Sequence, residues 1–431
     1  ILIFVVLGIF VVTYALLIFR TIGKRKIPIW TSMVVGAFLM LGTLSISPLD
    51  AFHSIDLRII SFLFGVLVIT AGFEKSGLIE YLILSILKRS KNFDRLLLFV
   101  IFGTGLLSAF LVNDGLALLL TPLALGFSSR LGLKTPKSIL IPIAFAITTG
   151  SAFTPIGNPQ NLLVALNSGM PNPFGQFVLY LLVPSLVSLF AIYLLSKLFF
   201  KKDYSSAHNF SKMKESLSDP TNAITDSGLA KLSASALVLL VASFIIVEIF
   251  PILQTIGFSF GNLALGFGIV ILVLSPRRLH LLTGMNWGVL IFFAGMFVVM
   301  RAVWDSSIGS SLLSFLPKPT PGARLESTGT IMINSVFLSQ ILSNVPFVQL
   351  YTFEMHALSF TSSSTVPWLA LAAGSTLAGN LTLLGAVSNV IILDSAEARK
   401  QKAFSFFEFL KYGSVVTLVT CFIFLAFLVL I

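Results

Sequence analysis

Two polar strings interrupt otherwise apolar stretches of this sequence, and each occurs twice. Ser108 and Asn113 stand five positions apart, as do Ser339 and Asn344. Thr154, Gly157 and Asn161 form the pattern T-x-x-G-x-x-x-N, and Thr382, Gly385 and Asn389 repeat it without a gap. A third match sets Asp56 and Gly65 against Asn286 and Gly295. All three recur in the same order about 230 residues on, which points to a duplicated chain. The chemistry open to these residues is ligation. Asparagine offers one carbonyl and two amide hydrogens, and serine and threonine each offer a hydroxyl.

The first break has a local cause. Pro155, Gly157 and Pro159 fall inside one apolar stretch, 138–166. Proline removes a donor and clashes with the preceding turn, and glycine tolerates unusual dihedrals. An unwound segment over 154–160 is therefore expected. Its freed carbonyls could hold a cation, while the helix start beyond it, with Asn158 and Asn161, offers N–H groups to an anion. Broken helices survive in lipid only where protein or a wet cavity surrounds them.

Asp114 differs from its neighbours. It adjoins Asn113, and Val345 takes its place in the second copy. Intramembrane carboxylates are costly and mark function, so Asp114 is the expected ion- or proton-coupling residue. Arg301 and Asp305, four apart at a helix end, read as a simple interfacial pair, and Glu74 and Glu80 read as solvated.

The elements that must position these residues are membrane helices. The 431 residues are 56% hydrophobic and only 10% charged, whereas a soluble domain carries about 25% charged residues. The apolar runs are long and unbroken, unlike the short alternating strands of an outer-membrane barrel. No H-E-x-x-H, serine-protease or phosphate-loop pattern is present, so the chain reads as no enzyme. Energy for active transport must come from an ion gradient or a separate ATPase subunit. The charge of +11 reflects basic loops that orient the helices rather than a nucleic-acid surface. Cys421 is the single cysteine and lies in an apolar helix, so there is no disulfide framework. The stretch 1–19 reads as a retained helix, since the basic cluster Arg20, Lys24, Arg25 and Lys26 follows it and no small-residue cleavage site appears. The chain starts at Ile1 rather than Met, so upstream residues are expected.

The expected fold is an all-α polytopic membrane protein with about ten transmembrane helices, near 1–19, 28–47, 57–74, 138–166, 176–199, 230–250, 257–275, 286–304, 365–395 and 404–431. Two apolar segments with polar middles, about 95–130 and 328–360, read as re-entrant hairpins. Threaded this way, all but Arg58, Arg301, Lys318 and Arg324 of the 28 basic residues lie on the inner side, and both termini lie outside. The first repeat would span 1–200, a cytoplasmic linker 201–229, and the second repeat 230–431, with the broken helices at about 138–166 and 365–395. The linker is Ser-rich and too polar to pack. Five spans plus a hairpin in each half force the second copy upside down, an arrangement that puts a transport site at the repeat interface.

The strings F-L-V-N-D-G-L-A-L-L-L-T-P over 110–122 and T-P-I-G-N-P-Q-N over 154–161 resemble the ArsB/NhaD permeases of the ion transporter superfamily, and the likeness extends over nearly the whole chain. That group includes arsenite efflux pumps, sodium–proton antiporters, silicon efflux carriers and anion permeases. The resemblance implies one cation-type site, possible for sodium, at Ser108, Asn113 and Gly157 and its mate at Ser339, Asn344 and Gly385. It also implies an elevator-like motion of hairpins and broken helices, in a homodimer. Sodium–dicarboxylate carriers of the same superfamily carry Ser-Asn-Thr at the hairpin tips. Here the tips read Val112-Asn113-Asp114 and Ser343-Asn344-Val345, which counts against dicarboxylate binding. The expected function is secondary transport of a small inorganic anion or metalloid such as arsenite across the cell membrane, coupled to H+ or Na+ with no other cofactor. Sodium–proton antiport, citrate or dicarboxylate carriage and, more distantly, a channel are the alternatives.

Overall fold

The computed structural model describes residues 2–19, 21–22, 25–205, 210–215, 217 and 219–430. Arg20, Lys24 and, within the expected linker, residues 206–209, 216 and 218 lie outside the described residues. Nearly all of the rest is helix. Apart from a two-residue antiparallel pairing of Thr21–Ile22 with Arg25–Lys26, the chain builds α1 (Leu2–Phe19), α2 (Ile29–Gly42), α3 (Leu57–Lys75), α4 (Leu78–Arg89), α5 (Phe93–Ser108), α6 (Asn113–Leu131), α7 (Lys137–Gly150), α8 (Pro159–Asn167) and α9 (Pro173–Phe199) in its first half. The second half builds α10 (Ser227–Ile249), α11 (Phe260–Leu274), α12 (Trp287–Asp305), α13 (Ile308–Leu313), α14 (Arg324–Leu342), α15 (Asn344–Ala357), α16 (Thr365–Leu377), α17 (Val387–Ala398) and α18 (Phe406–Leu430). Short helical turns join several of them.

Among the described residues, α3, α9, α10, α12 and α18 are each long and apolar enough to cross a membrane. Four shorter apolar helices lie at Ile3–Leu17, Ile29–Gly42, Lys137–Phe153 and Phe260–Leu274. Many large apolar side chains point outward, such as Phe4, Phe38, Phe315 and Phe422. A water-facing surface would not tolerate that density of exposed phenylalanine.

Two helix pairs form the centre of one layer, α3 against α11 and α12 against α2. Glycines decide how close they come. A Cβ on Gly65 would stand 1.9 Å from the Ala264 carbonyl oxygen, and one on Gly295 would stand 2.8 Å from the Met33 carbonyl. In both places backbone meets backbone, which is how small residues let membrane helices approach. The Asp56/Gly65 and Asn286/Gly295 matches thus mark the helices α3 and α12, each packed on a short helix of the opposite half.

The second layer carries the interrupted segments. α5 and α6 are joined through 109–112, and α14 runs into α15 at Ser343. α7 packs on α5 and α16 on α14, while α6 lies against α17 and α15 against α8. The pair α5–α6 therefore packs against α7 with one helix and α17 with the other, and the pair α14–α15 against α16 and α8. Capping follows sequence chemistry: Asn92 accepts from Arg95 N at 2.9 Å to start α5, and Gly132 ends α6 in the left-handed region at φ 71°.

Two features depart from the sequence reading. The stretch after α3, outside the expected spans and hairpins, holds the amphipathic helix α4, which buries Ile79, Ile83, Leu84 and Leu87. The linker was expected to be too polar to pack, yet its described part does so. Leu217, Pro220 and Ala223 are buried. Tyr204 donates to Ser138 O at 2.6 Å, and Thr135 donates to Asp203 Oδ2 at 2.7 Å. Thr225 N donates to Ser76 O at 3.0 Å. Polar side chains bonding to main chain replace the apolar area that the linker lacks. Burial pushes the Tyr204 hydroxyl well above its usual range. Hydrogen bonds from Thr221 hold the Asp219 carboxyl below its own.

Candidate functional site

The first break runs from a turn of 3-10 helix, Ser151–Phe153, to the start of α8. Its loop is knitted by side chains that the sequence singled out. Asn161 Nδ2 donates to the carbonyls of Ser151, Ala152 and Thr154 at 3.0, 3.1 and 3.0 Å. Asn158 caps α8 by accepting from Asn161 N at 2.9 Å. Thr154 hydroxyl donates to Ala109 O in the hairpin tip and accepts from Gly157 N. Gly157 is required by proximity, because a Cβ there would stand 2.4 Å from Ser151 O.

The second break follows the same plan with different atoms. Asn389 Nδ2 donates to Gly379 O at 2.7 Å and to Thr382 O at 3.3 Å. A Cβ on Gly385 would meet Ala378 O at 2.5 Å. Thr382 hydroxyl donates to Gln340 Oε1 at 2.7 Å, and Gln340 Nε2 reaches Ala378 O at 3.0 Å. Gln340 of α14 thus does through its side chain what the tip carbonyl of Ala109 does in the first half. The breaks also hold each other. Asn158 Nδ2 donates to Thr376 Oγ1 at 3.1 Å, Thr376 donates to Asn161 Oδ1 at 3.1 Å, and Asn380 Nδ2 donates to Thr149 Oγ1 at 2.9 Å.

A cavity of about 490 Å³ opens where the tips meet the breaks. Asn113 and Asp114 line it from the first tip, Ser343 and Asn344 from the second, Asn158 and Gln160 from the first break, and Gly385 and Ser388 from the second. Trp30, Asn286, Phe292 and Phe293 of the other layer form the facing wall. Of the sequence candidates, Asn113, Asp114, Asn158, Asn344 and Gly385 reach the cavity directly. Ser108, Thr154, Gly157, Asn161, Ser339, Thr382 and Asn389 stand behind them and shape the loops. Ser108 donates to Gly105 O at 2.8 Å.

The starts of α6, α8, α15 and α17 all abut this cavity, at 113–114, 158–160, 344–345 and 386–388. A helix start carries a positive dipole end and N–H groups that the helix itself does not bond, and four starts meet at this space; at α8 Pro159 supplies no N–H and Asn161 N is already bonded to Asn158. The second tip is strained: Ser343 sits at φ 64°, ψ 157°, a region that costs a non-glycine residue about 1–3 kcal/mol. Several buried oxygens have no hydrogen-bond partner, among them Asn113 Oδ1, Asn344 Oδ1, Ser339 Oγ, Ser388 Oγ, Asn389 Oδ1 and Thr148 Oγ1. Unsatisfied buried acceptors call for an explanation, and a bound cation is one.

Sequence reasoning missed Trp30, Gln160, Ser388 and Asp394, all on the cavity wall. Asp394 is a second carboxylate there, on the face of α17 that also presents Val387, Ser388 and Ile391. The spacing 387, 388, 391, 394 is one helical stripe, the signal that could have found it. Arg301 and Asp305 form the expected pair at 2.8 Å.

Residues 14–378 match the profile of the citrate transporter family. The chain is 30% identical over 428 residues to an uncharacterised transporter of Mycobacterium tuberculosis, covering 96% of this chain and 95% of that one. It is 26% identical to a silicon efflux transporter of Oryza sativa subsp. japonica, over 95% of this chain and 94% of the relative. It is 24% identical to an arsenical pump membrane protein of Escherichia coli, over 98% and 97%. The fold is shared with Neisseria gonorrhoeae MtrF at TM-score 0.57 and 13% identity, over 100% of this chain and 94% of that one. It is shared with the Alcanivorax borkumensis YdaH transporter at TM-score 0.54 and 14% identity, over 100% and 97%. A helical bundle with lipid-facing apolar helices, a polar cavity between broken helices and these relatives leave one conclusion: the chain is a membrane transporter of the citrate transporter family, akin to the arsenical pump and silicon efflux proteins.

Proposed function

We propose that the chain is a secondary transporter for a small inorganic anion or metalloid oxyacid of the arsenite kind, coupled to protons or sodium. The convergence of four helix starts on one cavity carries this reading. Electron-rich oxygens of a compact oxyacid would accept hydrogen bonds from those N–H groups and from the amides of Asn113, Asn158 and Asn344. The alternation needed for transport would come from two inverted halves, whose tips and breaks meet in the middle of the bundle. The basic loops would face the cytoplasm of a cell membrane, with both termini outside. The unpartnered oxygens Asn113 Oδ1, Asn344 Oδ1 and Ser339 Oγ fit a small dehydrated cation, and Asp114 would carry a coupling proton. A homodimer and a separate ATPase subunit remain part of the expectation. The test is flux in proteoliposomes of arsenite, silicate, phosphate, sulfate, citrate and sodium, each with and without a pH gradient. Saturable, gradient-driven movement of arsenite or silicate supports the reading. Movement of citrate alone overturns it.

A second reading, carriage of citrate or another organic anion, is favoured by the family profile and by the size of the cavity. The same flux panel separates the two, since a citrate carrier would leave arsenite and silicate unmoved.

A further inference from the structure

A narrow apolar slot of about 40 Å³ lies apart from the polar cavity, between α4, α5, α6 and α7. Ile86 and Leu87 of α4, Gly103 of α5, and Leu120 and Leu123 of α6 line it, and Thr104 is the one polar residue on its wall. Its mouth is on the side of α5. Val100, Gly103 and Leu107 are half-buried there, and Phe99 and Leu106 beside them are exposed. In a membrane such a side faces acyl chains rather than water.

The corresponding place in the second half is closed by polar side chains. α14 begins at Arg324 as α5 does at Phe93, and α15 begins at Asn344 as α6 does at Asn113, with one offset for both. The same offset sets Ile86, Gly103 and Leu120 against Pro317, Asn334 and Tyr351, and Leu87 and Leu123 against Lys318 and Glu354. There Asn334 Nδ2 donates to Pro317 O at 2.9 Å and to Tyr351 Oη at 3.0 Å. Lys318 Nζ stands 3.8 Å from Glu354 Oε1. Polar contacts thus tie α14 to α15 and both to the chain before them, where the pair α5–α6 has an apolar slot.

The charges around the slot differ as well. Tyr204 packs on Phe93 with ring centroids 4.9 Å apart and donates to Ser138 O, so α5 and α7 start side by side, a few residues after α4 and α6 end. Arg89, Lys91, Arg95, Arg130 and Lys134 are exposed at these ends, and none has an acidic partner among the described residues, whereas Lys88 pairs with Asp219 and Lys137 with Glu408. The offset carries those five to Thr320, Gly322, Glu326, Thr361 and Thr365. Basic loops orient helices wherever they occur; here they also rim an apolar slot, and basic rims between membrane helices bind anionic headgroups. We propose that the slot takes one acyl chain of an anionic phospholipid, whose headgroup is held by Arg89, Lys91 and Arg95 on one side and Arg130 and Lys134 on the other. The chain braces α5 against α6 as the Asn334 cluster braces α14 against α15. The comparison of the two pairs rests on the duplicated-chain reading, and the lipid site is independent of the cargo.

Thermal unfolding of the delipidated chain in detergent tests the proposal, with phosphatidylglycerol, phosphatidylcholine of the same acyl chains, or glycerol phosphate added. Phosphatidylglycerol is expected to raise Tm by several degrees, phosphatidylcholine by less than half as much, and glycerol phosphate not at all. Arg95→Gln/Arg130→Gln should weaken the apparent affinity for phosphatidylglycerol by about fivefold for each charge removed. Lys231→Gln/Arg278→Gln, at exposed basic residues outside the four helices of the slot, should leave that affinity unchanged. Gly103→Leu should fill the slot and abolish the phosphatidylglycerol shift; the nearest atom to its Cβ is the flexible end of Ile86, at 2.9 Å. Equal shifts from the two lipids, or a shift from glycerol phosphate as large as that from phosphatidylglycerol, overturn the proposal. So does a folded Gly103→Leu protein with the parental shift, or a loss of affinity as large in the control pair as in the slot pair. Should Gly103→Leu fail to fold, the two charge pairs decide. The readout is unfolding, so a failure of arsenite or silicate flux bears on the cargo alone.

Discussion

The hydroxyl of Thr376 donates to Asn161 Oδ1 at 3.1 Å and accepts from Asn158 Nδ2 at the same distance, joining the break of one half to that of the other. The mirrored bond, from Thr148 to Asn389, is missing: Thr148 Oγ1 and Asn389 Oδ1 are both buried without partners. The first break is therefore closed upon itself, while the second keeps unused acceptors.

Thr376→Val should expose this difference. It keeps the shape and leaves two buried asparagines short of a partner, at a cost of about 1–3 kcal/mol for each group stranded. Thermal unfolding in detergent is expected to fall for Thr376→Val and to stay near the parent value for Thr376→Ser. Thr148→Val should be close to neutral, because that hydroxyl bonds nothing here.

Glycine contacts set a steeper penalty. Gly65→Ala would drive a methyl into the Ala264 carbonyl and is expected to cost about 3 kcal/mol or more, above the usual range for overpacking. Gly295→Ala should cost less, since its nearest atoms stand at 2.8 Å. Gly266→Ala, with nothing within 4 Å, should stabilise the helix by up to about 1 kcal/mol. Yield of folded protein after a heat step in detergent ranks the three.

The proposed sidedness rests on the basic loops. A cysteine placed at Ser205, exposed after α9, should react with an impermeant maleimide only from the cytoplasm. One at Ser314, exposed beyond α13, should react only from outside. Reaction of both from one face would overturn the inverted arrangement. The nearby Ser216, which serves equally well by sequence, lies outside the described residues.

Asp114→Asn should abolish gradient-driven transport while leaving folding intact. Asparagine keeps the shape and removes the group proposed to take up and release a proton. The measurement is uphill movement in vesicles under an imposed pH gradient at matched protein level. Parental accumulation in Asp114→Asn would move coupling to the asparagine carbonyls of the two tips or to Asp394.

The legible part of this protein was what the backbone itself must do. Pro155, Gly157 and Pro159 cannot continue a helix, so the first break was written locally. The second break carries no such prolines over 378–386 and was found only by its likeness to the first. Contacts made between segments far apart in the sequence were not legible. Gln340 sits beside Ser339 in a recognised string, yet its role in bracing Thr382 depends on a fold that brings α14 to residue 382. Asp394 lies three residues before Glu397 and five before Arg399, at the end of the expected helix 365–395, and drew no separate reading there. Its spacing with Val387, Ser388 and Ile391 puts it on one helical stripe, and the placement of α17 is what turns that stripe into a cavity wall. The packing of the linker was missed because it relies on hydrogen bonds to main chain, which composition does not record.

The glycine contacts have one more consequence, for how such a protein can change cargo. Gly295 locks α12 to α2 through main-chain atoms, with no side chain between them to be trimmed or enlarged. Phe292 and Phe293, one turn away on the same helix, stand on a wall that cannot be shifted, only repainted by substitution. A cavity that must grow or shrink has to do so at the opposite side, where Ser343 is already held in an awkward conformation and the second break keeps spare acceptors. Substrate range in this architecture should therefore drift through the second tip and the second break, with the facing wall acting as a fixed reference surface.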